Sequence, residues 1–157
     1  MATAVIDRAK TLTRIDFSPT GRPPSAMWVT VATMASIVGS LVVDVLLVAV
    51  GQAVFLSTKG YAHFQFSDYG KLTVIGVVVA GLAWPLVTRI TSAPRWVYFR
   101  MAVAVTVVLW LPDLYILAKG QPAKAVAVLM VMHLAIAVVT YNGVVRLAPV
   151  RPRPTTS

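Results

Sequence analysis

The sequence contains five aspartates and two histidines, which are common acids, bases and metal ligands, and it has neither glutamate nor cysteine. They are Asp7, Asp16, Asp44, Asp68, Asp113, His63 and His133. Three of them, Asp44, Asp113 and His133, lie within long apolar runs. An ionisable residue is costly to bury in a membrane, so these three are the candidates for function.

Their chemistry predicts either a proton relay or a site for a cation or a polar substrate. Two ionised carboxylates repel each other unless one is protonated or a cation lies between them. An imidazole beside carboxylates titrates near neutral pH, which would suit proton exchange. One histidine and two aspartates without helical ligand spacing do not form a typical metal-binding pattern, so we expect no metal and no other cofactor.

Each of the three residues also has a purely structural interpretation. Pro112 could end its helix early and leave Asp113 solvated at the membrane surface. Asp44 could be a packing residue that is hydrogen-bonded to a neighbouring helix. His133 could be a core histidine with its hydrogen bonds satisfied.

Four apolar runs must position these residues. The chain is 58% hydrophobic and 12% charged, whereas soluble proteins average about 25% charged residues. The runs cover residues 27–50, 72–91, 97–118 and 123–147, each close to or above the roughly 20 residues that span a bilayer. We predict an all-α polytopic membrane protein whose four transmembrane helices form an up-down antiparallel bundle.

The flanking segments indicate the orientation. Residues 1–25 form a basic N-terminal tail, either mostly without structure or with a short surface helix around Leu12, and residues 148–157 form a proline-rich tail. Ten lysines and arginines lie on the side of the termini, and only Lys59, Lys71, Lys119 and Lys124 lie on the other. This asymmetry predicts that both termini are cytoplasmic and that the protein lies in the cell (inner or plasma) membrane.

Depth places the three candidates in one layer. Asp44, Asp113 and His133 lie 14 to 17 residues from the cytoplasmic ends of the first, third and fourth spans, or roughly 20–25 Å at 1.5 Å per residue. Helical spacing adds a supporting polar face to each of these spans. These faces contain Thr33 and Ser40, then Thr106 and Trp110, and finally Thr140.

Several function classes are excluded or disfavoured by the sequence. No phosphate-binding loop, dinucleotide-binding, zinc-protease or nucleophile-elbow motif is present. The net charge of +9 is spread between apolar runs, which does not predict nucleic-acid binding. An enzyme acting on lipid would need a polar cluster at the interface, where His63, Asp68 and Lys71 are the only candidates, so we do not expect an enzyme.

The residues Trp110 to Leu114, W-L-P-D-L, together with the single mid-span His133, resemble the small, uncharacterised four-span integral membrane proteins of actinobacteria. The resemblance covers the four-helix region. It implies a fold and a membrane location and no assigned activity.

Two functions remain open at this point. The favoured one is an accessory or scaffold component of a membrane complex, which binds partners or a second copy through its helix faces within the lipid bilayer. The alternative is a small ion- or proton-coupled transporter that uses the intramembrane aspartates and histidine. Only the alternative requires Asp44, Asp113 and His133 to lie close together.

Overall fold

The computed structural model describes residues 2–152, without the side chains of residues 2–5, 9 and 10, and contains five helices and no named strand within that range. The helices are α1 Ala2–Thr13, α2 Ala26–Val54, α3 Phe66–Ile90, α4 Pro94–Ala118 and α5 Ala123–Leu147. The last four are long and apolar enough to cross a membrane, and they pack together as an antiparallel bundle. The predicted fold class is confirmed.

The helices extend beyond the predicted spans at several ends. α2 continues to Val54 and α3 begins at Phe66, whereas apolarity alone placed these limits at residues 50 and 72. Helix formation does not require apolar residues, and Asp68 in the first turn of α3 complements the positive end of the helix dipole. Two short 3-10 turns, Leu56–Thr58 and Ala62–Phe64, join α2 to α3.

α2 packs against the bundle through small residues. Its buried residues recur at every third or fourth position and are Ala32, Ser36, Ser40, Asp44, Val48 and Gly51. At Gly143 of α5, a Cβ atom would overlap Ser36 Oγ, and at Gly51 one would lie 2.9 Å from Val128. Small residues let two helix backbones approach closely, so α2 and α5 form the central seam of the bundle.

Two apolar clusters lie at the two ends of the bundle. The arginine end is the end near Arg89, Arg95 and Arg146, and the lysine end is the end near Lys59 and Lys119. The arginine-end cluster contains Ala32, Trp84, Val87, Val97, Tyr98, Val144, Val145 and Ala148. The lysine-end cluster contains Val48, Phe64, Ala125, Val128 and Met132. The buried polar side chains of α2 lie between these clusters.

α4 is the least buried of the four long helices. Only Val97, Tyr98, Thr106 and Asp113 are buried among its 25 residues. It packs mainly on α5 and makes no extensive contact with α2. Most of its large apolar side chains therefore face outward, as expected for a helix surrounded by lipid.

The N-terminal segment folds against the arginine end. Asp16 accepts hydrogen bonds from the backbone N–H groups of Ser18 (3.1 Å) and Ser92 (2.9 Å) and from the Ser92 hydroxyl. The Ser92 hydroxyl is the main cause that lowers the pKa of Asp16, and the backbone bonds act in the same direction. The turn between α3 and α4 leaves backbone groups free, and Asp16 satisfies one of them.

Two further contacts hold the same segment. Arg100 of α4 donates a hydrogen bond of 2.6 Å to the carbonyl of Leu12 at the end of α1. Arg22 and Arg151 exchange two backbone hydrogen bonds of 2.8 and 3.0 Å. The sequence left open whether residues 1–25 lack structure or form a short helix around Leu12, and the described part contains such a helix, α1. Residues 153–157 of the proline-rich tail lie outside the described residues.

Replacing Gly81 of α3 by alanine should destabilise the bundle, because the new Cβ would overlap the Thr33 side chain of α2. Overpacking of this kind costs about 1–3 kcal/mol. Gly76→Ala in the same helix is the matched control, since no atom lies within 4 Å of its Cβ position. Thermal unfolding in detergent should give a lower Tm for Gly81→Ala alone. Equal Tm values would contradict the α2–α3 packing.

Replacing Asp16 by alanine should release the N-terminal segment, because the hydrogen bonds to Ser92 and Ser18 are lost. Trypsin should then cleave faster after Arg14 and Arg22 at neutral pH. Since the pKa of Asp16 is lowered on folding, its contribution is complete above its ordinary value of about 3.8 and is lost only as the pH falls below it. Asp7→Ala is the control, and an unchanged cleavage rate for Asp16→Ala would contradict the docking.

Candidate functional site

The structure places a polar layer between the arginine-end and lysine-end clusters. Within residues 2–152, the layer holds the three ionisable residues predicted from the sequence and several buried hydroxyls. The buried or largely buried polar residues of the layer are Ser36, Ser40, Asp44, Thr73, Asp113, His133 and Thr140. Apolar side chains close the layer towards both ends.

Asp113 of α4 and His133 of α5 are in direct contact. Asp113 Oδ2 lies 3.1 Å from His133 Nδ1, and 27% of the histidine side chain is exposed. α4 does not end at Pro112 but continues to Ala118, and Asp113 is buried. The interpretation of Asp113 as a solvated residue at an early helix end is therefore wrong. The last turns of α4 pack on α5 through Trp110 and Asp113, and a proline inside a membrane helix is tolerated where neighbouring helices pack against it.

The protonated nitrogen of His133 has two acceptors within reach. Nδ1 lies 3.0 Å from the carbonyl of Leu129, one turn earlier on α5, as well as 3.1 Å from Asp113 Oδ2. The geometry fits a hydrogen bond to Leu129, so Asp113 Oδ2 is buried without a hydrogen bond among the described residues. Because both neighbours of Nδ1 are acceptors, the proton of a neutral ring belongs on Nδ1 when Asp113 is ionised.

Asp44 of α2 is fully buried and is bonded to α3. Its Oδ2 accepts a hydrogen bond of 2.8 Å from the hydroxyl of Thr73. Its second oxygen, Oδ1, has no partner in the part of the chain that the structure describes. Asp44 and Asp113 each interact electrostatically with His133. His133 thus interacts electrostatically with both carboxylates, although only Asp113 is in direct contact with it.

The five predicted supporting residues have different environments. Thr33 and Thr106 donate hydrogen bonds of 2.8 Å to carbonyls in their own helices, at Val29 and Ala102.

The other three lie between helices. Trp110 donates from Nε1 to the carbonyl of Met130 at 3.0 Å and so ties α4 to α5. Ser40 and Thr140 are buried, and neither hydroxyl has a partner within the described range.

Two residues that interact with the buried aspartates were not predicted from the sequence. Thr73 was missed because a lone hydroxyl near the end of a span has no distinctive pattern. Its one usable signal is a depth that matches Asp44. Tyr61 was assigned only to an interfacial aromatic loop, yet its hydroxyl is buried without a described partner. Burial, and to a smaller extent the carboxylate of Asp113, raise the pKa of Tyr61.

The candidate interfacial cluster lies at the surface of the lysine end. His63 Nδ1 is 3.7 Å from Asp68 Oδ2, and about half of each side chain is exposed. The His63 ring also contacts the Tyr61 ring edge to face, with centroids 5.3 Å apart. This exposed histidine–aspartate pair provides a natural comparison for the buried pair formed by Asp113 and His133.

The chain matches no known protein family, no curated protein sequence and no solved structure. Its function therefore has to be argued from the geometry of its own residues.

Replacing Thr73 by valine should destabilise the protein, because the buried carboxylate of Asp44 would lose its hydrogen bond. Leaving such a group without a partner costs about 1–3 kcal/mol or more. Thr106→Val removes a buried hydroxyl that is bonded only within its own helix and serves as the matched control. Thermal unfolding in detergent should show a clearly lower Tm for Thr73→Val than for Thr106→Val. A reversed or equal order would show that the Thr73–Asp44 bond has little weight.

Proposed function

We propose that this protein is a small proton-coupled transporter in which Asp113 and His133 form the proton-binding pair. The observation that carries the proposal is the 3.1 Å contact between a buried carboxylate and an imidazole on two neighbouring helices. One added proton converts an ionised carboxylate and a neutral imidazole into an ion pair without net charge, so the pair can load and release a single proton. Imidazole changes its charge near neutral pH, where a transporter must load and release protons.

The surroundings of the Asp113–His133 pair favour controlled exchange of protons over permanent access of water to the pair. Apolar clusters lie on both sides of the polar layer, so water would reach the layer from one end only when the cluster at that end opens. Asp113 Oδ2 has no hydrogen bond within the described range and is free to accept a proton. Alternating access would open the two clusters in turn.

The helix that carries Asp113 is also the helix best able to move. α4 buries only four of its residues and leaves α2 largely uncontacted. Its polar links to α5 in the layer are the Trp110–Met130 hydrogen bond and the Asp113–His133 contact. A change of charge at this pair would therefore act directly on the α4–α5 interface. Protonation of the Asp113–His133 pair would therefore be coupled to movement of α4.

We place the protein in the cell membrane with its arginine end in the cytoplasm. Arginines such as Arg89, Arg95 and Arg146 lie at this end, together with the N-terminal segment, and lysines occupy the other. Basic residues are retained on the cytoplasmic side during membrane insertion. Protons from outside would then enter at the lysine end.

An accessory role in a membrane complex is the second candidate, and the outward face of α4 supports it. Large apolar side chains are exposed along the whole helix, from Trp96 to Leu117. A partner helix or a second copy of the chain could cover this face within the bilayer. An accessory protein would need no proton exchange at Asp113, so the two roles are separable by experiment.

Proton movement should be measured with the purified protein in liposomes that contain a pH-sensitive dye. After an imposed pH gradient, the native protein should change the internal pH faster than empty liposomes. Asp113→Asn and His133→Gln should each lower this rate by about tenfold or more, since a missing proton-transfer group costs about 100-fold or more in related chemistry. The matched controls are Asp68→Asn and His63→Gln in the exposed pair, which should keep the native rate.

Two results would contradict transport. One is a native rate no higher than that of empty liposomes under every gradient tried. The other is a rate that Asp113→Asn and His133→Gln leave unchanged. If the native protein and the variants are folded and none of them moves protons, the accessory role becomes the better interpretation. Capture of membrane partners through α4 is then the next test.

A further inference from the structure

The seam between α2 and α5 contains buried oxygen atoms that the proton-binding pair does not use. Each is buried to nine-tenths or more and lacks a hydrogen-bond partner in the described part of the chain. The atoms are Ser36 Oγ, Ser40 Oγ, Asp44 Oδ1 and Thr140 Oγ1. Buried polar atoms are nearly always paired, and in an apolar medium each unpaired one costs several kcal/mol. Ser36 and Asp44 are eight residues apart on α2, about 12 Å along the helix, so a common ligand would contact the neighbouring atoms of Ser40, Asp44 and Thr140.

Helix geometry brings these atoms together. Ser36, Ser40 and Asp44 are spaced by four residues on the buried face of α2, so each side chain lies one turn from the next. Ser36 lies against Gly143 of α5, and Gly39 lies against Val139. Because the helices are antiparallel, Thr140 faces α2 one turn above Gly143. Ser40 and Thr140 therefore lie opposite each other, next to Asp44.

The donor set selects a class of ligand. The three atoms of Ser40, Asp44 and Thr140 are oxygens, which hard cations prefer, and Asp44 supplies a single negative charge. A divalent ion would need more anionic ligands, and residues 2–152 contain no cluster of three acidic, histidine or cysteine side chains suited to a metal. The close approach at Gly39 and Gly143 limits the space in the seam. A small monovalent cation of the Na⁺ class fits the charge and the chemistry.

We propose that Ser40, Asp44 and Thr140 bind a small monovalent cation. Thr73 holds the other oxygen of Asp44 and so directs Oδ1 towards the seam. Binding of the cation does not depend on the proposed transport, but its role as the ion exchanged for the proton rests on that function. The electrostatic interaction between Asp44 and His133 would connect the two ions.

The probe for the experiment is Na⁺ itself, with choline as the replacement ion at constant ionic strength. The full-length protein in detergent should show a saturable rise of Tm with Na⁺ and saturable binding of radioactive Na⁺ at mildly alkaline pH. Ser40→Ala and Thr140→Val should each weaken Na⁺ binding by about tenfold or more, since even the outer-shell partners of metal ligands are worth about 10–100-fold in affinity. Thr106→Val, which removes a buried hydroxyl outside the seam, should bind Na⁺ as the native protein does.

The outcomes separate this site from the proposed transport. A native protein whose Tm and binding do not respond to Na⁺ overturns the cation site, as does a response that Ser40→Ala and Thr140→Val both retain. Na⁺ binding that persists in Asp113→Asn, together with an absence of proton flux in the native protein, supports the site and contradicts only the transport function. Proton flux in the native protein without any response of Tm or binding to Na⁺ supports the transport function and contradicts the cation site.

Discussion

Carboxylates buried in an apolar medium are the constraint on which this structure depends. An ionised aspartate near the middle of a membrane span costs roughly 2.5–3.5 kcal/mol on insertion scales, and this chain buries two. Asp44 reduces that cost through the hydroxyl of Thr73, and Asp113 does so through the imidazole of His133. These contacts join α2 to α3 and α4 to α5, so the same interactions that make the carboxylates tolerable also fix the neighbours of each helix.

The α2–α5 seam meets a second requirement, which is close packing around polar atoms. Small residues such as Ser36 and Gly143 allow the two backbones to approach, and the apolar clusters at both ends exclude solvent from the layer between them. Close packing without hydrogen bonds is unfavourable for hydroxyls, because they lose water and gain no partner. The seam is therefore strong as a helix contact and incomplete as a polar network, a combination that suits a binding site better than a simple packing face.

Rigidity is distributed unevenly in the bundle. At the arginine end, Trp84 donates a hydrogen bond of 2.7 Å to the carbonyl of Ala148, and the N-terminal segment is bound to the α3–α4 turn through Asp16. α4 has few buried residues beyond this end. The half of α4 at the arginine end is held by these contacts. The half at the lysine end, which carries Asp113, rests on a limited contact with α5. A change of charge at Asp113 would act where the bundle has the least packing to resist it.

The sequence by itself determined the number of long apolar helices and their approximate spans, and it predicted a common depth for Asp44, Asp113 and His133. Depth follows from the regular rise of a helix between two membrane surfaces, which can be counted along the chain. Only the tertiary structure decided which side chains meet. Asp113 contacts His133 while Asp44 turns to Thr73, because α5 packs against both α2 and α4 whereas those two helices do not pack extensively on each other. The rotation of each helix about its axis depends on contacts with all its neighbours at once, and periodicity within one helix cannot supply it. The contact between Asp16 and Ser92 was likewise decided only by the tertiary structure, since it joins residues 76 positions apart that no local pattern connects.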